Sequence, residues 1–171
     1  DATFSSPLGE FPAWFIPGAD DTWVILVHGR GAERTEALRI LPMIVDRGHP
    51  SLVITYRNDE GLPPSDDGYY HFGQSEWEEL EGAVKYAIDN GAQDIVLVGF
   101  SMGGAVVANF LLVSPLSEKV QGAILDSPMM NFNTTVDLGG RERGLPRPLV
   151  VLSKTVASIR FGVDWDKLNY V

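Results

Sequence analysis

The chain has 171 residues, no Cys, and 13 Lys+Arg against 23 Asp+Glu, a net charge of −10. That size suits one domain with a sizeable core and no covalent staples, and 44% hydrophobic against 21% charged residues excludes a disordered chain. The acidic balance argues against a nucleic-acid footprint or an anionic membrane surface, and the missing Cys excludes disulfides, thiolate metal sites and a cysteine nucleophile.

No apolar run approaches the roughly 18 residues a membrane span needs, and no basic-then-apolar leader opens the chain. The first residue is Asp1, so localisation stays open between the cytoplasm and, after removal of an N-terminal piece, an extracytoplasmic site. In chain order, Phe11–Ile16 is a short apolar run ending at Pro17-Gly18, a predicted strand and turn. Thr22–His28 (TWVILVH) is continuous, apolar and β-branched, as expected of a strand buried on both faces. Thr35 is a predicted cap for a helix over Glu36–Arg47, which Pro42 should kink or restart and Gly48 should end. Ser51–Tyr56 (SLVITY) repeats the buried-strand pattern.

Ser75 and Glu78 have capping-box spacing. The helix they predict carries Trp77, Leu80, Val84, Ala87 and Ile88 on one face and closes at Gly91. Asp94–Gly99 (DIVLVG) is a further strand, Met102–Val113 a helix, and Val120–Leu125 (VQGAIL) a fifth strand. Leu149, Leu152, Val156 and Ile159 recur at helical spacing behind Pro146 and Pro148. Buried strands alternating with helices imply a doubly wound, mostly parallel α/β sheet with helices on both faces. Ligands in such sheets bind beyond the carboxyl ends of the strands, where the loops after His28, Tyr56, Gly99 and Asp126 fall.

Gly99-Phe100-Ser101-Met102-Gly103 matches G-x-S-x-G where a strand runs into a helix, the context of a nucleophile elbow. Ser101 should sit at positive φ, and Gly99 and Gly103 keep strand and helix from clashing. The helix N-terminus then faces the developing oxyanion. His28-Gly29-Arg30-Gly31 follows the central strand, and an HG-x-G loop there can supply a second oxyanion donor. The candidate donors are the backbone amides of Arg30 and Met102. His28 is expected to be structural, its ring bonded to nearby loop backbone.

Through WVILVHGRG, LVITYRN, DIVLVGFSMGGA and GAILDSPM, the sequence resembles the α/β-hydrolase superfamily, nearest to bacterial esterase, lipase and aminopeptidase-like members. The resemblance spans about Phe11 to Met130 and continues more loosely to the end. It implies a single hydrolase domain over residues 1–171, with 131–171 a lid-like or cap segment. It also implies that the five strands are the second to sixth of eight, and that Ser101 is the nucleophile of a serine hydrolase cleaving a small carboxylic ester, less readily an amide. No cofactor and no metal are expected, since the three His are not clustered with carboxylates at ligand spacing.

The family order is Ser, then Asp or Glu, then His, yet His28, His49 and His71 all precede Ser101. A serine hydroxyl needs a base, so three readings stand open. In the favoured one the chain is part of a longer hydrolase, truncated before the acid and the base and inactive alone. In the second it is a non-catalytic binding or scaffold protein on the same fold. In the third a local His serves, His71 being the best placed. Asp126 ends a strand in LDSP at the catalytic face, either as a triad acid or, the favoured reading, as a loop-anchoring carboxylate accepting backbone N–H bonds. Asp164 and Asp166 should cap or flank a helix. Met129, Met130, Phe132 and the segment to Trp165 could line an acyl pocket or simply form packing. Val120–Leu125 would be an apolar sheet edge, and such edges need covering by another chain, a second copy or a further segment.

Overall fold

A computed structural model describes all residues 1–171. The chain divides into two compact units, Asp1–Pro128 and Met129–Val171.

The first unit is built on a six-stranded sheet in the order β1-β2-β4-β3-β5-β6. Its strands are β1 (Ala2–Ser6), β2 (Gly9–Ile16), β3 (Thr22–Val27), β4 (Ser51–Ile54), β5 (Asp94–Phe100) and β6 (Val120–Asp126). β1 and β2 form a hairpin, β2 runs antiparallel to β4, and β3, β4, β5 and β6 are parallel to one another. The five strands read from the sequence are therefore the second to sixth of this sheet. β1 went unread: ATFSS has one buried position, Phe4, and gives almost no apolar alternation.

Handedness places the helices. β3 connects to β4 on one side and β4 returns across it to β5, so right-handed crossovers put the two connections on opposite faces. The first connection is a 3-10 turn (Arg34–Arg39) followed by α1 (Leu41–Val45). Ala37, Leu41 and Ile44 from it join Val24, Leu26, Val53, Val98 and Phe100 in one apolar cluster. α2 (Trp77–Asp89) and α3 (Met102–Val113) contact each other and β3 on the other face.

Two helix starts differ from the sequence reading. Thr35 caps nothing: it lies inside the 3-10 turn, and Pro42 restarts the chain as α1. The Ser75/Glu78 capping box does not form, because both side chains are drawn elsewhere. Ser75 Oγ bonds His71 Nδ1 at 2.9 Å and Glu78 pairs with Arg57. Glu76 instead takes the loop amides, accepting from His71 N at 2.6 Å and Gly73 N at 2.8 Å. Gly91, at φ +103, closes the end of α2 as expected.

One buried ion pair joins the sheet to α2. Arg57, just past β4, donates to both carboxylate oxygens of Glu79 at 2.8 Å, and Ser6 Oγ donates to Glu79 Oε1 at 3.0 Å. Burial raises the Glu79 pKa, and Arg57 counters that rise.

The second unit holds α4 (Phe132–Glu142) and α5 (Arg147–Phe161). Pro146 and Pro148 stand at the start of α5 as read, and Gly162 ends it in the left-handed region. Gly140 lets the helices close: a Cβ there would sit 2.6 Å from Val150. Lys154 Nζ binds Asp137 Oδ1 and Asn133 Oδ1, both at 2.5 Å, and its hydrogen bond draws the Asp137 pKa down. α4 was not read from the sequence, since FNTTVDLGGRE contains two Gly and two β-branched Thr, all poor helix formers. Asp164 accepts from Asp166 N at 3.2 Å and so caps a turn there.

Candidate active site

Ser101 stands between β5 and α3 at φ +50, ψ −113, a region that L-residues rarely adopt. The turn is possible because the residues two before and two after it, Gly99 and Gly103, have no side chains. A Cβ on Gly99 would lie 2.6 Å from Gly103 O. A Cβ on Gly103 would lie 2.2 Å from Val27 O and 2.6 Å from His28 O. So Gly99 separates strand from helix, whereas Gly103 lets the first turn of α3 sit against the end of β3. Gly104 adds a third close approach, to Pro128. Ser101 N donates to Asp126 O at 2.9 Å, which ties the turn to the end of β6.

The His28–Gly31 loop lies directly beside it. A Cβ on Gly29 would come within 3.1 Å of Ser101 Cβ and 3.3 Å of Phe100 O. Gly29 N donates to Glu36 Oε2 at 2.7 Å and Ala32 N donates to Gly29 O at 3.1 Å. Those bonds occupy the amides of Gly29 and Ala32 and not that of Arg30. Met102 N opens α3, where the first N–H groups have no partner within the helix. The Arg30 guanidinium lies 5.8 Å from the Phe72 ring centroid.

His28 is buried, and its ring does what the sequence reading expected. Nδ1 meets Gly29 O at 2.9 Å, while Nε2 meets Asp59 Oδ2 at 3.0 Å. The ring stacks on Tyr56 at 4.4 Å, and the Tyr56 hydroxyl donates to the carbonyls of His28 and Gly29 at 3.1 and 3.2 Å. Tyr70 completes the group, donating to Asn58 O at 2.9 Å and reaching Asp59 Oδ1 at 3.3 Å. Burial, reinforced by Asp59, pushes the Tyr70 pKa up to about 12 and that of Tyr56 well above the ordinary phenol value. Both phenols are therefore permanent donors near neutral pH.

His71 is also committed. Nδ1 meets Ser75 Oγ at 2.9 Å and Nε2 meets Asp67 Oδ2 at 3.0 Å. That hydrogen bond lowers the Asp67 pKa. His49 lies at the amino end of β4, with Nδ1 3.3 Å from Asp20 Oδ2. None of the three imidazoles is placed on the Ser101 hydroxyl.

Asp126 does not anchor backbone N–H groups with its side chain, as its favoured reading had it. Its Oδ2 lies 3.3 Å from Arg39 and its Oδ1 accepts from Ser127 Oγ at 3.1 Å. Only its main-chain carbonyl takes an N–H, that of Ser101. Glu36, Arg39, Asp59 and Glu76 were not singled out from the sequence, because they belong to no motif and act by reaching back to loops they do not adjoin.

A cavity of about 650 Å³ opens beside the His28–Gly31 loop, with Trp14, His28, Arg34, Asp59 and Tyr70 in its wall; Ser101 is not among its lining residues. No group of three or more His, Asp or Glu side chains is placed to share a metal ion. No helix is long and apolar enough to cross a membrane.

Residues 24–168 match the sequence model of the alpha/beta hydrolase family. The structure is similar to an esterase of Pyrococcus furiosus at 22% identity and a TM-score of 0.71, covering 96% of this chain and 66% of that one. It is also similar to an esterase of Exiguobacterium antarcticum (16% identity, TM-score 0.64, covering 89% of this chain and 59% of that one). A thermophilic esterase of Thermogutta terrifontis matches at 21% identity and a TM-score of 0.60, covering 84% of this chain and 54% of that one. The chain thus spans less than two thirds of the length of these structures, and identities this low establish the fold alone. A search of curated protein sequences finds no significant match.

Proposed function

Because the chain belongs to the alpha/beta hydrolase family, we propose that it is the nucleophile-bearing part of a serine hydrolase that cleaves small carboxylic esters and, less readily, amides. The observation that carries this is the strained Ser101 turn with the Gly29 backbone against it. In this reading Ser101 Oγ attacks the ester carbonyl. The carbonyl oxygen becomes an oxyanion between the amides of Arg30 and Met102, and the alcohol departs to leave an acyl-enzyme that water then cleaves. Two donors fixed before reaction stabilise that charge without reorganising, and loss of one such donor costs about 100- to 1000-fold in rate. Esterase neighbours of the fold support the substrate class in general terms.

The hydroxyl proton needs an acceptor. Since His28 and His71 are engaged elsewhere and His49 lies at the amino end of β4, away from the Ser101 turn, the acid and base of this mechanism come from a segment outside residues 1–171. The chain alone is then expected to be inactive. Residues 131–171 serve as the lid, a role supported by the exposed apolar side chains of Leu149, Leu152, Val156 and Ile159 on α5.

The test is labelling by a fluorophosphonate of the native protein, expressed from its own gene to its natural stop. Labelling that Ser101→Ala abolishes supports the hydrolase. An unlabelled native protein supports a non-catalytic binding protein on the same fold, the reading favoured by the absence of an imidazole on Ser101.

A further inference from the structure

Asp126 ties both halves of the candidate site together, and it does so with two different groups. Its main-chain carbonyl holds Ser101 N at 2.9 Å. Its carboxylate holds Arg39, 3.3 Å away, and the same Arg39 nitrogen lies 3.3 Å from Glu36 Oε1. The other oxygen of Glu36 accepts the Gly29 amide at 2.7 Å. Arg39 is also seated 4.7 Å over the ring of Phe100, the residue before Ser101. A continuous path therefore runs from the nucleophile turn through Asp126, Arg39 and Glu36 to the loop that carries the Arg30 amide.

We propose that Glu36, oriented by Arg39 and Asp126, is a positioning residue that fixes the His28–Gly31 loop at the distance from Ser101 that oxyanion binding requires. This rests on the serine-hydrolase reading above for its catalytic consequence and on geometry alone for the tether. The chemistry favours a carboxylate here. One oxygen accepts a backbone N–H in a short charge-assisted bond, and the second remains for a guanidinium. Without Glu36 the Gly29 amide, on the peptide unit joining His28 to Gly29, loses its acceptor. Gly29 O stays held by Ala32 N, His28 Nδ1 and the Tyr56 hydroxyl, so the loop is loosened on the Ser101 side and the Arg30 N–H is displaced with it, not released. Arg39 is about half exposed, so its pairs should add little to stability. The tether is consequently expected to show in reactivity and local opening more than in melting.

The experiment uses the native protein and three variants, Glu36→Ala, Glu36→Gln and Asp126→Asn. Two quantities are read: the fluorophosphonate inactivation rate constant separated from its binding constant, and hydrogen exchange of peptides covering residues 28–32. Glu36→Ala should slow inactivation by about 10-fold or more at unchanged binding constant, less than full loss of a donor because the amide is displaced and not removed. It should also speed exchange in the 28–32 peptides. Glu36→Gln keeps an acceptor for Gly29 and should recover most of both. Asp126→Asn should shift both in the same direction by a smaller factor, since it acts only through Arg39. Unchanged exchange at 28–32 in Glu36→Ala overturns the tether, as does inactivation that falls only through weaker binding or in proportion to melting. A protein that labels equally well after Ser101→Ala overturns the nucleophile reading instead, and the exchange arm still decides the tether.

Discussion

Gly103 gives the sharpest test of how the elbow is built. In an ordinary helix, Gly→Ala stabilises by about 1 kcal/mol. Here the added Cβ would lie 2.2 Å from Val27 O, 2.6 Å from His28 O and 2.8 Å from Val27 C, all main-chain atoms at the end of the central strand. Relief requires the start of α3 and the end of β3 to part by roughly 1 Å, and overpacking of this kind costs about 1–3 kcal/mol. After the helix-propensity gain, the net destabilisation of Gly103→Ala should be about 0–2 kcal/mol. For a chain of this size each kcal/mol is about 2–4 °C in Tm. The functional effect should be larger, because parting those segments moves Ser101 from the Gly29 backbone, and misplacement by 1 Å can cost about 100-fold. Gly122→Ala, within β6, is the control: nothing lies within 4 Å of its Cβ position, so it should label like the parent and melt no lower. Thermal melting and fluorophosphonate labelling of the native protein are the assays. Gly103→Ala with raised Tm and unchanged labelling would refute the close approach and with it the built geometry of the elbow.

The buried Arg57–Glu79 pair should behave as a unit. Arg57→Met leaves a fully buried carboxylate unpaired and should cost about 3–5 kcal/mol, whereas Arg57→Met with Glu79→Leu should recover much of that loss in a denaturant titration; equal losses in single and double variants would contradict the pairing. Tyr70 should ionise near pH 12, and burial also holds the Tyr56 pKa well above the ordinary phenol value. A phenol whose folded pKa is raised contributes stability that is complete below its unfolded pKa, near 10, and lost as pH rises toward 12. Absorbance titration should therefore show a late step coincident with alkaline unfolding and reduced in Tyr70→Phe. β6 pairs with β5 and with no other strand of the sheet, and its Val120–Leu125 run includes the exposed Ile124. Residues 1–171 alone should therefore self-associate with rising concentration in sedimentation velocity, and Ile124→Lys should suppress this; a monomer at every concentration would remove the case for a covered edge.

The parallel strands were legible because burial on both faces leaves one continuous apolar signature, as in TWVILV and DIVLVG. The Ser101 turn was legible for a related reason: three requirements at alternate positions (small, positive φ, small) leave little choice of residue at Gly99, Ser101 and Gly103. Long-range side-chain partners were not. The Ser75/Glu78 spacing satisfied a local rule, yet His71 and Arg57 offered those side chains better partners than the helix start did. Asp126 misled in the same way, since LDSP gives no sign that Arg39, 87 residues earlier in sequence, lies 3.3 Å away. β1 escaped because it carries almost no apolar alternation, and α4 because its two Gly and two Thr are poor helix formers.

The three imidazoles bear on where the base comes from. To reach Ser101, His28 would have to leave Asp59 and Gly29 O and abandon its stack on Tyr56. Burial makes each abandoned polar group costly, about 1–3 kcal/mol apiece. Tyr56 would suffer too, because its hydroxyl is aimed at the His28 and Gly29 carbonyls and does not ionise near neutral pH. His28 therefore secures the loop from the β4 side, as Glu36 secures it from the α1 side, and a ring with that duty is a poor proton shuttle. His71 is freer: moving its ring would release Asp67 and Ser75, but the loop itself is held by Glu76 through the main-chain amides of His71 and Gly73 and by the close approach of Gly73 to α3, where a Cβ would meet Ala105 at 2.7 Å. Local recruitment of His28 would thus dismantle part of the frame around Ser101, and recruitment of His71 would leave Asp67 and Ser75 without their partner. An outside base has no such cost, since it would approach a Ser101 whose surroundings are already held. Accordingly His28→Phe in the native protein should lower both Tm and labelling, by loosening the loop, while His71→Gln should leave labelling within about 2-fold, the scatter expected of a surface substitution. Loss of labelling in His71→Gln at unchanged Tm would reverse this argument and return the base to residues 1–171.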